Sequence, residues 1–281
     1  MKKSISYWSL EGGLDAKAPL AKCFREARAN GFPALEPALA DSGELTVATT
    51  KKECDAIRAD ARAAGVEMAS LATGLFWGKS LTASDPAVRE EALDIGRSLI
   101  EKAAWLGLDT VLVVPGAVDV FFLPGAENVS YDECYKRSQK AIKKLVPLAE
   151  KHKVKIGIEN VWNKFLLSPL EMRDFIDSFG SKYVGAYFDV GNVMLTGFPQ
   201  HWIKILGRRI VRIHVKDFKT SVGTAAGFCD LLQGDVPWRD AMSALKAVRY
   251  KSFVTAEMIP WNEGLIARTS EAMDKILAFA Q

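Results

Sequence analysis

The chain has 281 residues, 49% of them hydrophobic and 25% charged, with a formal net charge of +3. That is apolar mass for one large core or two ordinary ones, and the interspersed charges exclude a basic nucleic-acid track, a charged tail and long disorder. No run approaches the roughly 18 apolar residues of a membrane span, and the opening MKKSISYWSLEGG lacks an apolar signal core. Cys23, Cys54, Cys134 and Cys229 form no CxxC pair, which argues against structural zinc and a disulfide framework. The expectation is a soluble cytoplasmic protein with a small-molecule partner and neither nucleic acid nor membrane. Its oligomeric state, a homo-oligomer included, is left open.

In chain order, SISYW reads as a first strand. A junction then recurs in which a charged, helix-periodic segment meets Gly and runs into a short apolar or β-branched stretch. It occurs at ARANGFPALEPAL, ARAAGVEMASLA, AAWLGLDTVLVV, DSFGSKYVGAYFDV and KILGRRIVRIHV. VKIGIEN and FVTAEMIP complete eight candidate strands, each followed by helical sequence, the last being EGLIARTSEAMDKILAFA. SPLEMRDFIDSFG carries its own start signals: Ser168 as N-cap, Pro169 at the first helical position and Glu171 completing a capping box. Strict alternation predicts a parallel sheet with right-handed crossovers. Eight units, with no GxGxxG after the first strand and no GxxxxGK[ST], point to a single α/β domain over residues 1–281, a closed (β/α)8 TIM barrel.

In such a barrel, chemistry sits at the C-terminal strand ends. Glu159 closes KIGIE, Asp189 closes VGAYFD, His214 closes IVRIH and Glu257 closes FVTAE, on strands five to eight. Three carboxylates and an imidazole converging there repel one another unless a divalent cation lies between them. An oxygen-rich set with one nitrogen suits Mn²⁺, with Mg²⁺, Co²⁺ and Zn²⁺ as alternatives.

These four residues, in GIEN, FDVGN, RIHVKD and AEM, resemble the metal-binding quartet of the xylose isomerase-like barrel family, which includes sugar and sugar-phosphate epimerases and isomerases. SDPAVREEALDIGRSLIEKAAWLGLDTVLVVPG and QGDVPW are similar to that family's third helix into fourth strand and its loop after strand seven. The resemblance implies one divalent metal holding two adjacent oxygens of a carbohydrate, with Glu159 and Glu257 also moving protons through an enediolate. Free-ketose 3-epimerases of the family show Asp-x-Gly-His where this chain has Asn192, and a further acid where it has Phe165 and Leu166. DVGN and HVKD instead resemble pentulose 5-phosphate 3-epimerases, also named hexulose 6-phosphate isomerases, so the expected substrate is an anionic ketose.

Further expectations attach to single residues. Lys216 shares a strand side with His214 and is a candidate ligand of a substrate hydroxyl or phosphate, with Asp217 orienting it. Asn192, Trp162 and Glu36 are the other candidate substrate contacts, Trp162 as an apolar wall and Glu36 as the acid closing FPALE. His152 reads as solvated and His201 as structural. A keto-sugar or inosose dehydratase or lyase would share the quartet and differ only when a group leaves. The three-zinc cluster of apurinic-site endonucleases needs more strand-end histidines than His214 alone.

Overall fold

The computed structural model describes residues 1–280. Eight strands alternate with eight principal helices. The strands are β1 (Lys2–Ser6), β2 (Ala34–Glu36), β3 (Glu67–Met68), β4 (Thr110–Val113), β5 (Lys155–Glu159), β6 (Val184–Asp189), β7 (Ile210–Val215) and β8 (Phe253–Ala256). The helices are α1 (Leu20–Ala29), α2 (Lys51–Ala63), α3 (Pro86–Leu106), α4 (Tyr131–His152), α5 (Pro169–Asp177), α6 (Pro199–Leu206), α7 (Trp238–Ala247) and α8 (Leu265–Ala278). Every neighbouring pair is parallel, and β1 pairs with both β2 and β8. The ring closes between β3 and β4 through Leu71, whose N–H donates to Thr110 O at 3.1 Å and whose carbonyl accepts from Leu112 N at 2.9 Å.

The recurring junction has a backbone cause. Gly31, Gly65, Gly107, Gly180 and Gly207 all take positive φ, and Gly107, at +76°, ends α3 in the left-handed conformation that glycine enters without a Cβ clash. Helix starts are equally local: Thr50 and Glu53 form a reciprocal capping box on α2. On α5 the expected box is only half present. Ser168 accepts from Glu171 N at 3.2 Å, but the Glu171 carboxylate takes the N–H of Leu167 and the hydroxyl of Tyr131, so it also ties α5 to α4.

Helices cover the outside of the sheet and the closed ring its inside, so β6 is buried along its whole length and reads as one apolar run. The barrel interior near the mouth is polar, however. Glu36 on β2, Tyr187 on β6 and His214 on β7 are each 0% exposed and meet although their strands are not all neighbours, which places their side chains across the interior. All four cysteines are free thiols. Among the described residues no helix is long and apolar enough to cross a membrane.

Candidate metal centre

Parallel register brings four strand ends to one level. Asp189 pairs with His214, Glu159 with Tyr187, and His214 with Thr255, two residues before Glu257. One donor atom from each of Glu159, Asp189, His214 and Glu257 lies within 4.8 Å of the others, and all four residues are buried. His214 Nδ1 is 3.7 Å from Glu159 Oε1 and 3.3 Å from Glu257 Oε2. Of these buried atoms His214 Nδ1 lacks a hydrogen-bond partner among the described residues, while Asp189 Oδ2 and Glu257 Oε2 share one cation, Lys216 Nζ, and keep lone pairs to spare. A buried nitrogen without a partner beside two carboxylate oxygens that share one ammonium is costly, and the convergence of all three fits a ligand drawn to lone pairs. Oxygen-rich donors with one imidazole nitrogen therefore fit a single divalent cation.

The imidazole is aimed from beneath. His214 Nε2 is 2.7 Å from Glu36 Oε2, while Glu36 Oε1 accepts from Ser70 Oγ at 2.7 Å and from the Tyr187 hydroxyl. Burial and the adjacent Glu36 push the Tyr187 phenol well above its usual range, so it stays protonated and donates. A Glu36 carboxylate accepts from Nε2–H, and Nδ1 faces the other three ligands. Burial opposes charge on this imidazole, but the acid groups around it outweigh burial and raise its pKa well above the usual range, so a cation at the quartet displaces the Nδ1 proton and takes up that lone pair. The Tyr187 ring packs edge-on to the imidazole, with centroids 4.6 Å apart, and restricts its rotation. The expectation that Glu36 touches substrate is corrected here: it is 0% exposed and positions His214.

Charge at the centre is asymmetric. Lys216 Nζ lies 3.2 Å from Asp189 Oδ2 and 2.7 Å from Glu257 Oε2, ion-paired with both. Its chain passes against Gly191, where a Cβ would sit 2.4 Å from Lys216 Cγ, which accounts for glycine in DVGN. Burial, helped by the Glu257 charge and opposed by His214, pushes the Glu159 carboxyl up to about 7. Burial acts the same way on Glu257, but Lys216 and His214 outweigh it and hold that carboxyl well below the usual range. Two carboxyls at one site thus differ in protonation near neutrality.

Asp189 is held by two asparagines. Asn160 Nδ2 donates to Asp189 O and Asn160 Oδ1 accepts from Asp189 N, both at 2.8 Å. Asn192 N donates to Asp189 Oδ1 at 2.8 Å, and Asn192 Nδ2 to Asn160 O at 3.0 Å. The side-chain nitrogen of Asn192, expected at substrate, is thereby committed to the backbone.

Residues 24–276 match the profile of the xylose isomerase-like TIM barrel family. The chain belongs to that family. A Haemophilus influenzae protein named as an L-ribulose-5-phosphate 3-epimerase is 25% identical over 243 residues, 84% of this chain and 82% of that one. An uncharacterized protein of Methanocaldococcus jannaschii is 24% identical over 176 residues, and the match spans 57% of its length. Among solved structures, D-psicose 3-epimerase from Clostridium cellulolyticum H10 superposes with a TM-score of 0.80 at 16% identity, covering 100% of both chains. The IolI protein, solved with a bound zinc atom, gives 0.77 at 17% identity over 100% of this chain and 99% of that one.

In this xylose isomerase-like barrel the remaining expected residues lie around the mouth. Trp162 donates from Nε1 to Asn192 O at 2.9 Å, and its ring packs on Phe218 and Phe228 with centroids 5.4 and 5.1 Å away. Asp217 is corrected. Its carboxylate accepts from the backbone N–H groups of Phe218, Leu232 and Val236 and from Trp238 Nε1, at 2.9, 2.8, 3.2 and 2.9 Å. It ties the loop after β7 to its own base and does not orient Lys216. Exposed His201 packs on Phe198, and half-buried His152 ends α4. Beside the quartet, Trp162, Phe165, Leu166 and Val193 line an apolar cavity of about 330 Å³, which Asn160 and Asn192 also border. Ser70, Tyr187 and Asn160 were not anticipated from sequence. Tyr187 had one signal, its place two residues before Asp189 on the same strand face.

Proposed function

We propose that this protein is a divalent-metal-dependent epimerase or isomerase acting on a ketose. The observation that carries the proposal is the quartet itself: four buried ligands from four consecutive strands, with the imidazole fixed by Glu36 so that its free nitrogen faces three carboxylates. Glu159, Asp189, His214 and Glu257 would hold the cation, which when bound supplies Lewis-acid polarisation of a carbonyl. Glu257, ionised beside Lys216, is the group to accept a proton from the carbon next to that carbonyl. Glu159, the other glutamate of the quartet, is the group to return one. Return to the opposite face of the same carbon inverts it, and return to the neighbouring carbon interconverts aldose and ketose. Lys216 adds positive charge where negative charge develops on substrate oxygen. Trp162, Phe218 and Phe228 form an aromatic cluster at the mouth that limits water.

A phosphorylated ketose is supported by the name of the Haemophilus influenzae relative and by Lys216 as a cation at the quartet. The apolar cavity supports a second reading, a keto-sugar whose apolar substituent departs by elimination after the same proton abstraction. A panel of pentuloses, hexuloses, their phosphates and 3-keto-glycosides, incubated with Mn²⁺ in deuterated water, separates these. The proposal expects metal-dependent deuterium uptake at the carbon beside the carbonyl. Uptake that persists in metal-stripped protein, or no uptake from any ketose, would overturn it, and release of the substituent would establish the second reading.

A further inference from the structure

A second concentration of charge lies at the other end of the barrel. Residues at the N-terminal ends of β5, β6 and β7, with the turn before β8, line an open cleft of about 720 Å³ whose rim carries the exposed side chains of Lys182, Arg208, Arg249 and Lys251. Its lining carries seven basic side chains against two acidic ones, a surplus of five that exceeds the formal net charge of +3 of the whole chain. The rest of the molecule is thus slightly acidic, and the cations are gathered.

Three of these cations are paired. Arg209 grips Asp177 with two bonds of 2.6 Å, and Arg212 and Lys155 share Asp109. The other four, Lys182, Arg208, Arg249 and Lys251, have no ion pair among the described residues. Arg249 also occupies a left-handed backbone position, φ +61°, in the turn that ends α7. Glycine fills such a turn with less strain, so this arginine is not there for the backbone's sake. Like charges gathered around one concavity repel, and a bound anion removes that repulsion. Arginine forks and a concavity of this size suit a small ligand with several anionic oxygens, whereas nucleic acid requires an extended basic stripe.

We infer that this cavity is a binding site for a small polyanion of the diphosphate type, separate from the metal centre. The inference is independent of the reaction proposed above. Its test is calorimetric titration of inorganic pyrophosphate into the metal-stripped full chain at low salt. Stripping the metal keeps chelation out of the signal. One saturable site is expected, weakening as salt rises, as for a contact between charges. The variant combining Arg208→Ser, Arg249→Gly and Lys251→Ser should lose at least about tenfold in pyrophosphate affinity. It should retain its divalent-metal affinity and its unfolding temperature, since Arg249→Gly relieves the turn. Lys216→Met should leave pyrophosphate binding unchanged. No saturable binding, equal binding by the triple variant, or loss of binding in Lys216→Met would each overturn the inference, the last by locating the anion at the quartet.

Discussion

Replacing Glu36 by glutamine tests the centre most sharply, because it alters no ligand. Three hydrogens converge on this carboxylate: those of His214 Nε2, Ser70 Oγ and the Tyr187 hydroxyl. Glutamine offers one acceptor oxygen and one NH₂. If the NH₂ turns to His214, Nε2 must become the acceptor and the proton moves to Nδ1, the atom that faces the other ligands. If instead it turns to Ser70 and Tyr187, a hydroxyl must reverse, and His214 keeps a neutral bond in place of a charged one. A hydrogen bond to a charged group contributes about 1.5–3 kcal/mol. At about 1.4 kcal/mol per tenfold, divalent-metal affinity should fall about 10- to 100-fold, the range seen when an outer partner of a metal-bound histidine is removed. Calorimetric titration of metal into stripped wild-type and Glu36→Gln protein measures this, with circular dichroism confirming that both are folded. Affinity within about twofold of wild type would refute the claim that Glu36 fixes the tautomer.

Glu159→Gln and Glu257→Gln should each lower kcat by about 10² to 10⁴ while the fold persists, as read by solvent deuterium uptake, and an unchanged rate for either removes its proton-transfer role. The Glu159 carboxyl, pushed up to about 7 by burial, holds its proton below that pH, so a cation must displace it. Apparent metal affinity should therefore fall by about tenfold per pH unit below pH 7 for the Glu159 proton alone and, because the His214 imidazole also holds its proton well above the usual range, should keep rising above pH 7; a flat profile between about pH 5.5 and 8 would contradict this. Asp217→Ala leaves the N–H of buried Val236 and the indole of buried Trp238 without their acceptor. At about 1–3 kcal/mol for each such group, the midpoint of urea unfolding should drop clearly, and an unmoved midpoint would show that the loop does not depend on this carboxylate.

The barrel was legible because glycines that take positive φ mark one helix-to-strand junction after another, and the quartet because each ligand interrupts an apolar run. Glu36 gave the same signal for a different reason. A strand-end acid in sequence shows that it enters the barrel mouth, but not whether it stops at the substrate or continues inward beneath His214. Ser70 is one small hydroxyl in the apolar segment VEMASLA, with nothing in the sequence to mark it, and its meeting with Tyr187 spans 117 residues of chain. The role of Asp217 was not legible because strand alternation turns it away from the metal side, and the N–H donors to its carboxylate lie up to 21 residues further along. The basic cavity draws on five separate segments, none of which is a charge run by itself.

The clasp formed by Asp217 also bears on how such a barrel changes its substrates over time. Its four bonds fix the base of the loop after β7, and a Cβ on Gly234 would meet Asp217 Oδ1 at 2.2 Å, so the base leaves no room for substitution there. The tip is exposed from Thr220 to Ala226, and three of its residues, Gly223, Thr224 and Ala225, border the apolar cavity. Insertions or exchanges at the tip can therefore reshape that cavity while the hinge points, Lys216 and His214 stay in place. The loop is a graftable cassette, and transplanting tips of different length between related barrels is a direct route to shifting substrate preference without rebuilding the quartet.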